Sequence, residues 1–114
     1  MKKISLNLVA LVLLTLSASA KNYIVNQKNK TFIPHELHLK VGDTITFKNS
    51  DDFAHNAYTD DEAGITDNSD QGPNAFDIGM QGQGEDVVVK MKAPSHFDIE
   101  CAIHPNMLLE VTVE

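Results

Sequence analysis

Three residues near the C-terminal end, Cys101, His104 and Met107, present a thiolate, an imidazole and a thioether within seven residues. A second imidazole, His55, lies far upstream beside Asn56. One cysteine, two histidines and a weak methionine form a donor set suited to copper that passes single electrons. Cys101 is the only cysteine, so the chain cannot close an intramolecular disulfide.

Each donor makes a distinct contribution. The thiolate binds a soft or borderline metal strongly, imidazole nitrogens suit both Cu(I) and Cu(II), and a distant thioether favours Cu(I) without demanding a fixed bond length. The set is a compromise between the geometries of the two oxidation states, so little rearranges when an electron moves. Structural zinc favours four strong Cys, His or carboxylate ligands, often from C-x2-C pairs. A binuclear copper centre, an iron–sulfur cluster or a c-type haem would each need a second cysteine. Four protein ligands also leave no open position for a substrate.

The elements that must hold these donors read as strands. Leu37, Leu39 and Val41 alternate with His38 and Lys40, Gly42 and Asp43 make a turn, and Ile45 and Phe47 alternate with Thr44, Thr46 and Lys48. Both segments predict half-buried antiparallel strands. Val87, Val89 and Met91 follow a turn at Gly82 to Gly84. Phe97, Ile99 and Cys101 alternate with His96, Asp98 and Glu100, and Leu109, Val111 and Val113 with Glu110 and Thr112. Cys101 therefore falls on the core face, at the end of a strand. A short strand is expected at Phe76 and Ile78. The acidic stretch within 58–74 reads as a solvated loop, because its spacing fits no EF-hand calcium loop. Several short strands with Gly and Pro between them predict an all-β sandwich.

The N-terminus reads as an export signal: Lys2 and Lys3, an apolar run from Ile4 to Leu16, and a small-x-small site at Ala18, Ser19 and Ala20. Residues 1–20 are the expected signal peptide and 21–114 one mature domain. Loss of the two lysines takes the formal charge from −7 to −9. An acidic chain without arginine argues against nucleic acid and anionic membranes and favours a basic protein partner. In an oxidising periplasm a lone thiol is a liability unless buried or bound.

The mature chain resembles a cupredoxin, the type 1 blue copper family. The resemblance rests on Phe32, Pro34, Leu37, Leu39, Val41, Gly42, Asp43, Thr44, Phe47 and Asn49, on His55 with Asn56, and on the Cys-x2-His-x2-Met loop. That short loop is similar to the amicyanin, methylamine-utilisation branch. Plastocyanin and pseudoazurin have two more residues between His and Met. The resemblance implies a Greek-key β-sandwich of two sheets and about seven or eight strands. It implies one copper ion held by His55, Cys101, His104 and Met107, with Asn56, Ile103 and Pro105 around them. Asn56 matches the residue whose N–H donates to the thiolate and whose side chain ties the ligand loops together. Two positions depart from the common pattern. Ala102 replaces Ser or Thr, so the bond from the Asn56 side chain must go to backbone or be absent. Ile103 replaces Pro and is expected to offer a second N–H to the Cys101 sulfur.

These readings give a soluble, exported, monomeric carrier of single electrons. Its expected partners are redox proteins such as a c-type cytochrome or a periplasmic dehydrogenase or reductase, docking near His104 on a small apolar patch beside an acidic rim. No stable membrane anchor is expected. Copper delivery or resistance is the competing function. An oxidase or reductase module would need a second copper site of several histidines, which are too scattered here. His35, His38 and His96 read as surface residues, Met80 and Met91 as core fillers, and Asp51 and Asp52 as loop charge.

Overall fold

The computed structural model describes residues 19–59 and 74–114. Residues 1–18 of the expected signal peptide lie outside the described residues, as do Asp60, Asp61, Glu62, Asp67 and Asp70 of the acidic stretch. Among the described residues nine strands form: β1 (Asn22–Lys28), β2 (Thr31–Ile33), β3 (Glu36–Leu39), β4 (Thr44–Asn49), β5 (His55–Thr59), β6 (Asp77–Gln81), β7 (Asp86–Lys90), β8 (Ser95–Glu100) and β9 (Leu108–Val113). They make a four-stranded sheet in the order β2-β1-β4-β7 and a five-stranded sheet in the order β3-β9-β8-β5-β6.

Alternation builds the core. Leu37 and Leu39, Ile45 and Phe47, Phe97 and Ile99, and Leu109, Val111 and Val113 are all buried, with Met91 beside them. Phe47 sits between Phe32 and Phe76, with ring centroids 6.4 and 5.8 Å away. Such aromatic pairs add roughly 0.5–1.5 kcal/mol each beyond the area they bury. Phe76 and Ile78 pack against this core at the start of β6, as their pattern implied.

Three expectations fail for physical reasons, and one strand, β1, was not anticipated. β3 is not antiparallel: it runs parallel to β9, while β4 is antiparallel to β7 but parallel to β1. The turn at Gly42 (φ 98°) is a corner that carries the chain from one sheet to the other, and Val41 lies in that corner, 47% exposed. Met80 is 64% exposed rather than a core filler. β1 carries no clean apolar alternation, because the inward position after Val25 is Gln27, buried and polar.

Gln27 belongs to a polar seam between the sheets. Its Nε2 donates to Gln81 Oε1 (2.6 Å) and to the Lys48 carbonyl (3.1 Å). Gln81 Nε2 donates to the Phe47 carbonyl (2.8 Å), and Asn49 Nδ2 donates to the Gln81 carbonyl (2.9 Å). Gln81 faces His55 across the β5–β6 pairing, so the seam ends at that histidine's strand.

At the corner, Asp43 accepts the N–H groups of Lys21 (2.9 Å) and Lys40 (2.9 Å). These two bonds hold its carboxyl below the usual carboxylate range. A depressed pKa contributes stability above the ordinary value of about 3.9, lost as pH falls through the folded-state value. Asp43→Asn is therefore expected to lower Tm at neutral pH. The gap from the native chain should close as pH falls below the usual carboxylate range, as thermal melts at several pH values would register.

Candidate metal centre

The candidate donors come from two places. His55 opens β5, directly after the β4–β5 loop. Cys101, His104 and Met107 lie in the link between β8 and β9. The alternation of β8 carries Cys101 inward, where it is 2% exposed, and Met107 is fully buried. His55 is fully buried and His104 half-buried. The link turns tightly, with the Met107 N–H donating to the His104 carbonyl at 3.0 Å.

The two imidazoles meet edge to face, with centroids 5.0 Å apart. Each keeps one buried ring nitrogen without a hydrogen-bond partner among the described residues, His55 Nδ1 and His104 Nε2. An orphaned buried nitrogen is costly unless something binds it. Beside a buried thiol and a buried thioether, two such nitrogens suit a soft, imidazole-loving metal. No group of three His, Cys, Asp or Glu side chains among the described residues converges at metal-binding geometry. The fit therefore rests on donor chemistry and on the orphaned nitrogens.

Asn56 joins the two ligand segments. Its N–H donates to Cys101 Sγ at 3.4 Å, and its Oδ1 accepts the Ala102 N–H at 3.3 Å. Its Nδ2 donates to Asp77 Oδ1 (2.7 Å) and the Gly79 carbonyl (3.2 Å). With alanine at 102, the side chain turns to backbone, one of its two expected outcomes. The bond expected from Ile103 to the sulfur is not formed: Asn56 is the donor to Sγ among the described residues, and Ile103 points outward, 43% exposed. Pro105 is likewise exposed.

Asp51, read from sequence as loop charge, is buried against the site. Its Oδ2 lies 2.6 Å from His55 Nε2. It also accepts the N–H groups of Asn29 (2.8 Å) and Lys30 (3.2 Å). Burial alone would raise its pKa, but these donors outweigh it and hold the carboxyl below its ordinary range. Phe53, also missed, lies edge-on to both imidazoles, at 5.1 Å from His55 and 5.4 Å from His104. The Lys30 ammonium stands over the Phe53 ring, 5.9 Å from its centroid. Burial, with His55 and Lys30 nearby, pushes His104 below its usual pKa and keeps its imidazole neutral at neutral pH. His35, His38 and His96 lie on the surface, away from these contacts.

A family model of copper-binding proteins, the plastocyanin/azurin family, matches residues 18–114. The chain belongs to the plastocyanin/azurin family. It is therefore a copper protein of the cupredoxin type, and that family binds one type 1 copper ion. Plastocyanin of Ginkgo biloba is 36% identical over 79 residues, covering 67% of this chain and 78% of that protein. Plastocyanin of Ulva arasakii is 27% identical, covering 72% and 83%. Among solved structures, a reduced Cu(I) form of an amicyanin variant superposes with a TM-score of 0.67 at 27% identity, covering 87% of this chain and 86% of that one. A copper-containing nitrite reductase from Thermus scotoductus gives 0.69 at 27% identity, but this chain spans only 23% of its length.

Within this family member, the Asn56 side chain is the bond that closes the ligand segments on each other. Asn56→Ala leaves the Ala102 N–H without its acceptor and is expected to cost about 1–3 kcal/mol of unfolding free energy. Chemical denaturation of the metal-free chain measures this directly.

Proposed function

We propose that the chain carries single electrons between redox partner proteins, with one copper ion alternating between Cu(II) and Cu(I). His55 through Nδ1, Cys101 through its thiolate, His104 and Met107 would hold the metal. The copper supplies the one-electron couple. The protein supplies a fixed, dry donor set with one half-exposed edge. The observation that carries this reading is the pair of orphaned buried ring nitrogens beside a buried thiol. Three of the four candidate donors are closed to solvent. Such a site suits outer-sphere exchange better than turnover of a bound substrate. The nitrite reductase likeness is to less than a quarter of that enzyme, and its activity is not carried over.

Docking is proposed at the His104 end, where Ala102, Ile103, Pro105, Asn106 and Leu108 are exposed. Apolar contact there permits close approach, and charge elsewhere governs encounter rates. A c-type cytochrome or a periplasmic dehydrogenase or reductase fits this chemistry. We further propose export, with residues 1–20 removed and 21–114 as the mature domain. The first strand begins at Asn22, the second residue after the proposed cut.

Copper-loaded protein is expected to show the intense visible absorption of a copper–thiolate bond, and Cys101→Ser should abolish it. A colourless complex that readily surrenders Cu(I) would instead point to copper delivery. Intact mass of the exported protein should correspond to a chain starting at Lys21. A mass retaining residues 1–20 would overturn the export reading alone.

A further inference from the structure

The corner at Gly42 holds a carboxylate placed for a charge that the uncut chain does not carry. Asp43 is 4% exposed, and its Oδ1 accepts the main-chain N–H of Lys21 at 2.9 Å. Its Oδ2 accepts the Lys40 N–H at 2.9 Å, and its own N–H donates to the Lys40 carbonyl at 3.0 Å. The Asp43 carbonyl accepts the Met91 N–H (2.9 Å), and the Lys21 carbonyl accepts the Thr44 N–H (2.9 Å). Donor and acceptor are thus each fixed by residues from position 21 onward. Ser19 and Ala20 are exposed, and β1 begins after them at Asn22. Lys21 is also the first residue after the proposed cut, so on the export reading its nitrogen changes charge during maturation.

We infer that Asp43 is the receptor for the Lys21 α-ammonium released when residues 1–20 are removed, so that maturation clamps the start of β1 to the corner between the sheets. This clamp depends on the export reading proposed above. Hydrolysis adds water across the Ala20–Lys21 bond: Ala20 leaves as a carboxylate and Lys21 keeps an ammonium, with no net proton change at neutral pH. The amide gives Asp43 a hydrogen bond from a neutral donor. The ammonium gives an ion pair at the same place, roughly twice as strong as a bond between neutral groups. One of its three protons meets Oδ1, and the other two need water. A cavity of about 320 Å³ beside them has the room, and the loss of Ser19 opens one of its walls. Other charges face the same space. Tyr23, His38, Lys40 and Glu114 line it with the Lys21 side chain, and Lys90 of β7 pairs opposite Thr44. The lysines and a protonated His38 oppose a new cation, Glu114 favours it, and an uncharged Tyr23 does neither. Asp43 acts at hydrogen-bond distance, where attraction is greatest. A raised α-amino pKa contributes stability that is full below its ordinary value of about 7.7–8.0 and lost as pH rises through the folded-state value. The lowered pKa of Asp43 sets the acid limit.

The test uses the exported protein, its intact mass first checked for a chain starting at Lys21. NMR titration of its α-amino group should give a pKa roughly one pH unit above the ordinary range. An ordinary or lowered value overturns the clamp, whatever any variant does. The same chain carrying Ser19 and Ala20 ahead of Lys21 keeps the amide bond to Asp43 but moves the charge away. At pH 7 it should melt a few degrees below the Lys21 chain, and the gap should close above about pH 10. Asp43→Asn should return the α-amino group to its ordinary range and erase the gap. Equal melting of the two native chains, or a gap that survives Asp43→Asn, means that Asp43 does not receive the new charge. An exported mass with a different first residue defeats the export reading and with it the maturation step. A Lys21 chain released from a cleavable tag then still decides, by the same titration, whether the ion pair forms.

Discussion

One residue, Asn56, joins the two halves of the candidate centre through its backbone and its side chain. The Asn56 N–H reaches Cys101 Sγ at 3.4 Å, linking the start of β5 to the end of β8. Neither segment could be displaced along its strand without breaking this contact, because backbone donors move only with the backbone. The side chain of the same residue then fastens Ala102 on one side and Asp77 and Gly79 on the other. Three strands are thereby locked in register around the thiol. Pairing between β5 and β6 slips between Asn56 and Tyr58, an irregularity of the kind that re-aims side chains near functional sites.

Behind that contact lies a core that is not uniformly apolar. Gln27, Asn49 and Gln81 are buried between the sheets and donate through their amide nitrogens to one another or to carbonyls of β4 and β6, while Gln27 Oε1 has no partner among the described residues. Buried polar groups cost stability unless bonded, but once bonded they admit fewer alternative packings than hydrocarbon does. A site with shared donors on two strands needs that selectivity. Tyr58 extends the pattern outward. Burial, with Glu100 next in effect, raises its pKa and keeps the phenol protonated to donate to Glu100, the residue before the thiol.

Much of this was legible in the chain, and the reasons differ by residue. Phe97, Ile99 and Cys101 share a parity, so the inward turn of the sulfur follows from the period of a strand. The candidate donors declare themselves through side-chain chemistry. Asn56 was legible by its place after His55, and the loss of a hydroxyl at Ala102 narrowed its amide's bond to backbone or none. Asp51 was not legible, since its meaning comes from Asn29 and Lys30, whose main-chain N–H groups leave no mark on composition. β1 escaped notice because Gln27 breaks its apolar rhythm, and Val41 was misread because a corner between sheets looks like a strand's last residue. Ile103 failed differently: the freedom to donate a hydrogen bond does not supply the direction.

The hairpin that supports Asp51 gives its support through main chain alone. Side-chain replacement at positions 29 and 30 leaves an N–H in place wherever left-handed backbone is tolerated, whereas no replacement at 51 restores a short carboxylate at the same reach. The two ends of one interaction thus carry unequal mutational exposure. The main-chain N–H groups of this one two-residue turn meet an interior carboxylate, while its Lys30 side chain lies over Phe53, so a change of side chain at position 30 alters one contact without touching the other.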